Sequence, residues 1–169
     1  ASHFGRLDAL INIAGGFAFE AVADGDPKTW QRMYALNVTT ALNASRAAIP
    51  YLVASTAGRI VNVGAMGALQ AGSGMGAYAA SKAGVHRLTE ALAAEWKGKI
   101  TVNAVCAGWT ETDMGETGIA LMAKAMGTTA AEAKQTATSA FPLGRFLEPD
   151  EVARLVAFVA GADADGVTG

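Results

Sequence analysis

Tyr78 and Lys82 are the two residues whose types and spacing most directly suggest chemistry. They stand four residues apart near the predicted start of a helix, so their side chains share one face, one turn apart. A phenol normally keeps its proton up to a pH of about 10, and a neighbouring ammonium group favours its ionised form. If the pair is more than packing, it predicts a tyrosine whose pKa is lowered by Lys82 and which serves as a general acid or base.

Three short apolar runs and two long helical patterns must position this pair. The runs at 7–13, 59–63 and 100–106 are rich in β-branched residues, which is typical of strands buried on both faces. A helix from 27 to about 51 and another from 77 to 97 separate them. Strands alternating with helices make two βαβ units, so we predict an α/β fold with a parallel sheet in a single domain, residues 1–169.

The carboxyl ends of the three strands mark the expected ligand site. In an open parallel sheet, ligands bind in the crevice beyond those ends. Here the ends are Ala14-Gly15, Gly64-Ala65 and Ala107-Gly108.

One polar residue, Asn37, interrupts the inward stripe of the first long helix. The stripe consists of Trp30, Met33, Tyr34, Asn37, Ala41, Ala44, Ala48 and Leu52. A buried amide needs hydrogen-bond partners, so Asn37 is either a structural tie or a functional group. Small residues cover further faces of both long helices, which favours a homodimer or homotetramer formed through the helices at 27–51 and 77–97.

The second half of the chain is less regular. Residues 109–141 have weak periodicity, although Thr129 and Glu132 could form a capping box for a short helix, and we interpret the segment as a mobile lid. A last helix is predicted from Pro149 to Gly161, with Val152, Leu155, Val156 and Val159 facing inward.

Composition narrows the class of partner. The formal net charge of −2 argues against nucleic acid, and no apolar run is long enough to span a membrane, so we expect a small-molecule substrate. The single cysteine, Cys106, and the absence of a signal-peptide pattern favour the cytoplasm. His3 and His86 have no ligands at suitable spacing, so no metal site is predicted.

Several segments, in order and spacing, resemble the short-chain dehydrogenase/reductase family. They are Asn12-Ile-Ala-Gly15, Asn37-Val38, Tyr78-Ala-Ala-Ser-Lys82, Ala107-Gly108-Trp-Thr-Glu-Thr112, Pro142-Leu-Gly-Arg145 and Val167-Thr-Gly169. The resemblance implies a Rossmann-like doubly wound sheet and an oxidoreductase that passes a hydride between NAD(H) or NADP(H) and a small carbonyl, alcohol or pterin-like substrate.

The resemblance also implies roles for individual residues. Tyr78 would transfer a proton, Lys82 would lower its pKa and bind the nicotinamide ribose, and Asn37 would hold a water that connects Lys82 to solvent. The implied cofactor contacts are Asn12, Ala14, Gly15, Tyr78, Lys82, Gly108, Thr110 and Thr112. Of the two threonines, Thr112 is the favoured contact, since threonine at a strand end is often a cap.

Two departures from the family pattern matter. The chain matches only the C-terminal portion of the fold, without the family's N-terminal strands and last strand, so we expect it to be part of a longer domain. The family's catalytic serine is replaced by Ala65, as in dihydropteridine reductases, which the sequence resembles locally. The alternative to an enzyme is an impaired or non-catalytic member that serves as a binding or oligomerisation module.

Overall fold

The computed structural model describes residues 3–139 and 141–169. At its centre lies a sheet of three strands, β1 (Ala9–Asn12), β2 (Gly58–Ala65) and β3 (Ile100–Ala107). The strands are parallel and lie in the order β1-β2-β3. The predicted α/β fold is therefore confirmed, and each predicted strand forms with its ends shifted by three residues or fewer.

The helices alternate with the strands and continue after the last one. They are α1 (Pro27–Tyr34), a π-helical turn (Ala35–Thr39), α2 (Thr40–Ala54), α3 (Gly76–Glu95), α4 (Asp113–Met126), α5 (Ala130–Ser139) and α6 (Pro149–Ala160), with short 3₁₀ turns at Met66–Ala68 and Ala162–Ala164. Asp26 caps α1 by accepting a hydrogen bond from the backbone of Lys28, and Pro27 stands in the first turn, as predicted.

Helices cover both faces of the sheet. On one face, α2 and α3 pack over Ile60 and Val102, and on the other α6 packs over Val61 and Val105. Neighbouring residues of a strand point to opposite faces, so each strand contributes to both cores. This is the doubly wound arrangement that the sequence predicts.

Part of the predicted inward stripe of the first long helix is wrong. Met33, Asn37 and Leu52 are buried, but Trp30 is 42% exposed and Tyr34 is 57% exposed. The reason is that α1 packs on α3 along a narrow face, and the π-helical turn then changes the helical phase before α2 begins. Leu155 of α6 is also 50% exposed, because only one edge of that helix faces the sheet.

The segment with weak periodicity forms more structure than predicted. It contains two helices, α4 and α5, which share a small core with Phe146. The predicted capping box is present, since the backbone N–H groups of Thr129 and Glu132 each donate to the other's side chain. Across residues 3–139 and 141–169, every helix is too short or too polar to cross a membrane.

Candidate active site

The three strand ends and the first turns of α3 meet at one edge of the sheet. Tyr78 lies in the first turn of α3, half-buried, and its ring packs edge-on against Phe17, with the ring centroids 4.8 Å apart. Lys82 lies one turn further and is buried. Its Nζ donates a hydrogen bond of 2.8 Å to the carbonyl oxygen of Val63 near the end of β2. This bond fixes α3 to the edge of the sheet.

Asn37 ties this edge together from the π-helical turn. Its Oδ1 accepts a hydrogen bond from the backbone N–H of Gly16 at 2.8 Å, and its Nδ2 donates to the carbonyl of Gly16 at 3.1 Å and to Oγ of Ser81 at 2.8 Å. Ser81 in turn donates to the carbonyl of Tyr78 at 2.7 Å. Of the two interpretations of Asn37, these contacts support the structural tie, and its role in holding a water stays a prediction.

Burial dominates the electrostatics of the pair. It raises the pKa of Tyr78 to about 12, so the sequence-based expectation that Lys82 sets a lowered pKa is wrong in direction for this structure. Burial also lowers the pKa of Lys82, partly offset by the nearby Cys106. Tyr78 is therefore a neutral phenol across the physiological range.

The close packing of Asn37 explains why the turn after β1 carries a glycine at position 15. A Cβ at this position would stand 2.6 Å from Oδ1 of Asn37 and 3.6 Å from Nζ of Lys82. The turn thus approaches Asn37 more closely than a side chain would permit, whereas the distance to Lys82 is an ordinary contact. Ala14, the neighbouring predicted contact, is exposed beside it.

Asn12 belongs to a polar network inside the sheet. Its Nδ2 donates to Oδ1 of Asn62 at 2.8 Å and to Oγ of Ser45 at 3.3 Å. Asn62, which is fully buried, donates to Oγ1 of Thr89 at 2.9 Å. The side chain of Asn12 therefore links β1 to β2, and its role toward a cofactor stays a prediction. Sequence reasoning missed Asn62, although a lone amide inside an apolar strand is a signal of such a tie.

The residues after β3 line the same edge with different roles. Gly108 has open space where a side chain would stand, with no atom within 4 Å. Thr110 donates a hydrogen bond to the carbonyl of Gly108 at 3.1 Å. Thr112 caps α4, because its Oγ1 accepts from the backbone of Gly115 at 3.1 Å. The capping role expected for Thr110 thus falls to Thr112, and whether either contacts a cofactor stays a prediction.

Sequence reasoning also missed the contact between Cys106 and His86. The sulfur of Cys106 and Nε2 of His86 are 3.2 Å apart. Both side chains are half-buried, so Cys106 is not a core thiol and His86 is not a surface imidazole. A Cβ on Gly64 would stand 2.7 Å from Nε2 of His86, so this glycine makes room for the ring. The spacing of His86, four residues after Lys82 on one helical face, was the available signal.

Comparison with known proteins identifies the chain's relatives. A family model described as Enoyl-(Acyl carrier protein) reductase matches residues 1–169. The chain belongs to the short-chain dehydrogenase/reductase family. Ala65, which we predict to stand at the family's serine position, is the last residue of β2, is 5% exposed and pairs with Ala107.

The similar proteins within this family are named as reductases and dehydrogenases of different substrates. The chain is 35% identical over 167 residues to the 3-oxoacyl-(acyl-carrier-protein) reductase FabG of Thermotoga maritima, covering 98% of the chain and 63% of the relative. It is 33% identical over 170 residues to the D-beta-hydroxybutyrate dehydrogenase of Cupriavidus necator, covering 99% of the chain and 66% of the relative. The chain thus spans less than two thirds of the length of these relatives.

Solved structures of the family superpose closely. The NAD+-bound xylitol dehydrogenase matches with a TM-score of 0.92 at 30% identity, covering 99% of the chain and 67% of that protein. The F189W actinorhodin polyketide ketoreductase with NADPH matches with a TM-score of 0.91 at 33% identity, covering 99% and 65%. These neighbours support the Rossmann-like fold.

Proposed function

We propose that this chain forms the catalytic part of an NAD(P)-dependent oxidoreductase, in which Tyr78 is the acid/base for a small carbonyl or alcohol, or for a pterin-like ring. One observation carries the proposal: Tyr78 and Lys82 lie at the carboxyl edge of the sheet, where Lys82 is fixed by Val63 and faces the turn at Gly15. The family uses nicotinamide cofactors, and two structural neighbours are an NAD+-bound and an NADPH-bound enzyme.

The residues at this edge fit such a cofactor. The Lys82 ammonium has three N–H donors. Among residues 3–139 and 141–169 it donates to one acceptor, the Val63 carbonyl. Gly108 leaves space at the end of β3, and Gly15 brings a backbone close to Lys82. Lys82, Gly108 and Thr112 would hold the nicotinamide end, which supplies or accepts the hydride, and Gly15 would allow close approach of the adenosine part.

Tyr78 moves the proton. With its pKa raised to about 12, the phenol is protonated at neutral pH and donates from Oη to the oxygen that gains negative charge when a carbonyl is reduced. In the reverse direction the phenolate accepts the hydroxyl proton, which requires ionisation of Tyr78 first. The burial that raises the pKa thus favours reduction at neutral pH.

Ala65 limits how the substrate oxygen is held. Where an enzyme develops an oxyanion, one hydrogen-bond donor is commonly worth about 10²–10³ in rate. The methyl group of Ala65 supplies none, so Tyr78 supplies the donor in this mechanism. A pterin-like ring, which develops little charge on oxygen, suits this arrangement without a second donor, whereas a carbonyl substrate relies on Tyr78 alone.

The test of the proposal is Tyr78→Phe in the intact protein. Turnover with NADH or NADPH should fall by about 10³ or more, since the proton donor is lost, while loss of the Tyr78 contact should change nucleotide affinity, measured by fluorescence titration, by a much smaller factor. Tyr51→Phe is the matched control, because Tyr51 is exposed on α2. Unchanged turnover in Tyr78→Phe would reject the mechanism.

The variant Ala65→Ser distinguishes the two hypotheses for this chain: an enzyme that works without the serine, and an impaired family member. High activity in the parent, with little gain on adding the hydroxyl, supports chemistry that works without the serine. An inactive parent that gains activity in Ala65→Ser indicates a disabled enzyme kept as a binding or assembly module. One relative, from Xanthobacter autotrophicus, is itself named an inactive 2-(S)-hydroxypropyl-CoM dehydrogenase.

The proposal includes a homodimer or homotetramer in the cytoplasm, formed through the helices at 27–51 and 77–97. Apolar side chains on the first of these, including Trp30, Tyr34 and Tyr51, are exposed. Part of the small-residue surface is used within the chain, since a Cβ on Gly84 would stand 3.1 Å from Val38. Light scattering of the parent and of Tyr51→Glu tests this: a monomeric parent would contradict it.

A further inference from the structure

Aromatic rings from four separate segments form a continuous wall that begins at Tyr78. Phe17 packs on Tyr78 with ring centroids 4.8 Å apart, Trp109 follows Phe17 at 6.1 Å, and Phe146 stacks on Trp109 at 5.3 Å with an angle of 13° between the rings. We call these four residues the aromatic wall. Phe146 is 3% exposed and backs the stack from the core, whereas Phe17 and Trp109 are only partly buried, so these two rings offer the flat apolar surface beside the phenol of Tyr78.

The cationic groups near the aromatic wall are already engaged. The Lys134 ammonium lies 4.7 Å from the centroid of the Phe146 ring and pairs with Glu111 at 2.7 Å. Lys82 donates to the carbonyl of Val63, and the proposed function assigns its remaining N–H donors to the cofactor. A carboxylate brought to the wall would lose water without gaining a free cation, which is unfavourable.

Two further segments approach the aromatic wall through glycines. A Cβ on Gly118 of α4 would stand 2.9 Å from Trp109 and 3.4 Å from Phe17, and one on Gly67 would stand 3.4 Å from Tyr78. These segments also expose apolar side chains, since Leu69 after the 3₁₀ turn is 67% exposed and Met114 in the first turn of α4 is 47% exposed. The backbone at Gly118 and Gly67 therefore lies directly against the wall.

We propose that the substrate is an uncharged carbonyl compound whose flat, apolar substituent lies against Phe17 and Trp109. This inference rests on the proposed function and names its substrate class. It differs from what the name of one relative indicates, because hydroxybutyrate carries a carboxylate. Phe17 and Trp109 are thus specificity-determining residues: they select the substituent, and Tyr78 reacts with the oxygen.

The experiment compares acetophenone, acetone and acetoacetate on the intact protein with NADPH or NADH. Acetophenone should bind by calorimetry at least tenfold more tightly than acetone and react with at least tenfold higher kcat/KM than acetoacetate. Phe17→Ala should raise the dissociation constant and KM for acetophenone about tenfold, with a smaller change in kcat. Phe17→Leu keeps much of the packing and should recover part of the affinity. Phe158→Ala, exposed on α6, is the control.

The possible outcomes distinguish a failure of the proposed substrate class from a failure of the proposed oxidoreductase function. Turnover that depends on Tyr78 but prefers acetoacetate, or ignores Phe17→Ala, overturns the aromatic wall as the substrate surface and leaves the oxidoreductase standing. Saturable binding of acetophenone that depends on Phe17, without any turnover, supports the wall and rejects the oxidoreductase. The absence of saturable acetophenone binding overturns the inference.

Discussion

The two sides of the candidate site are built from different interactions. The floor, formed by the strand ends with α1, α2 and α3, is tied by hydrogen bonds of the buried side chains of Asn37, Ser81 and Lys82. The cover, residues 109–139 and 141–146, is held by ring stacking, a small apolar core and an ion pair between half-exposed side chains.

The difference assigns a role to each side. Hydrogen bonds depend on distance and angle, so the floor fixes individual atoms such as Nζ of Lys82. Apolar contact is largely non-directional, so the cover fixes a surface rather than a point. The floor therefore suits proton transfer, for which atoms must be within hydrogen-bonding distance, and the cover suits recognition of a substituent by shape.

The largest expected effect comes from breaking the floor at Asn37. Asn37→Ala removes three hydrogen bonds and leaves the N–H and C=O of Gly16 without their partner, so the free energy of unfolding should fall by about 3 kcal/mol. Urea denaturation measures it. Asn43→Ala, exposed on α2, should change the value by less than about 0.5 kcal/mol. Equal effects of the two substitutions would show that the buried hydrogen bonds of Asn37 do not stabilise the floor.

A second prediction concerns two glycines at the same edge. In Gly15→Ala the new Cβ meets Oδ1 of Asn37 at 2.6 Å, so the free energy of unfolding should fall by about 2 kcal/mol. Gly108→Ala meets no atom within 4 Å and should leave stability within about 1 kcal/mol of the parent.

The same two variants then separate structural from cofactor roles. Gly108→Ala is expected to weaken nucleotide binding at nearly unchanged stability, as measured by fluorescence titration with NADH and NADPH. Unchanged nucleotide affinity in Gly108→Ala would remove this glycine from the cofactor site.

The floor could be predicted from the sequence because its signals are local and periodic. The three strands are continuous apolar runs, and the tyrosine and lysine share a helical face by spacing alone. The phase change at the π-helical turn could not be predicted, because it depends on how α1 packs on α3. A single helical period that runs through residues 27–51 without this turn predicts Trp30 and Tyr34 on the inward face.

The cover was harder to predict for a physical reason. α4 lacks strong periodicity because Gly115 and Gly118 occupy its contact face, where Thr110 and Trp109 approach too closely for a side chain. The direction of the Tyr78 pKa was also missed, since spacing shows a neighbouring charge but not the depth of burial.

The pH dependence of turnover tests the pKa of Tyr78, the floor residue on which the aromatic wall begins. Because the pKa of Tyr78 is raised to about 12, its ionised fraction rises about tenfold per pH unit between pH 7 and 9. Alcohol oxidation should rise by up to that factor, and carbonyl reduction should stay flat. The folded-state pKa lies above the usual value, so the stability from the protonated form is present below pH 10 and is lost as pH rises through about 12. An oxidation rate that levels off near pH 8 would indicate a lowered pKa.

The smallest expected effect lies in the cover, at the cap of α4. Thr112→Ala removes the acceptor for the backbone N–H of Gly115, so the free energy of unfolding should fall by about 1 kcal/mol, and Thr112→Ser should restore it. Thr117→Ala, whose exposed hydroxyl only donates to the carbonyl of Asp113 within the same helix, should have almost no effect. Nucleotide affinity measured on the same variants decides whether Thr112 does more than cap. If Thr112→Ser also restores a lost affinity, the hydroxyl serves both the helix and the cofactor; if affinity never changes, the residue belongs to the cover alone.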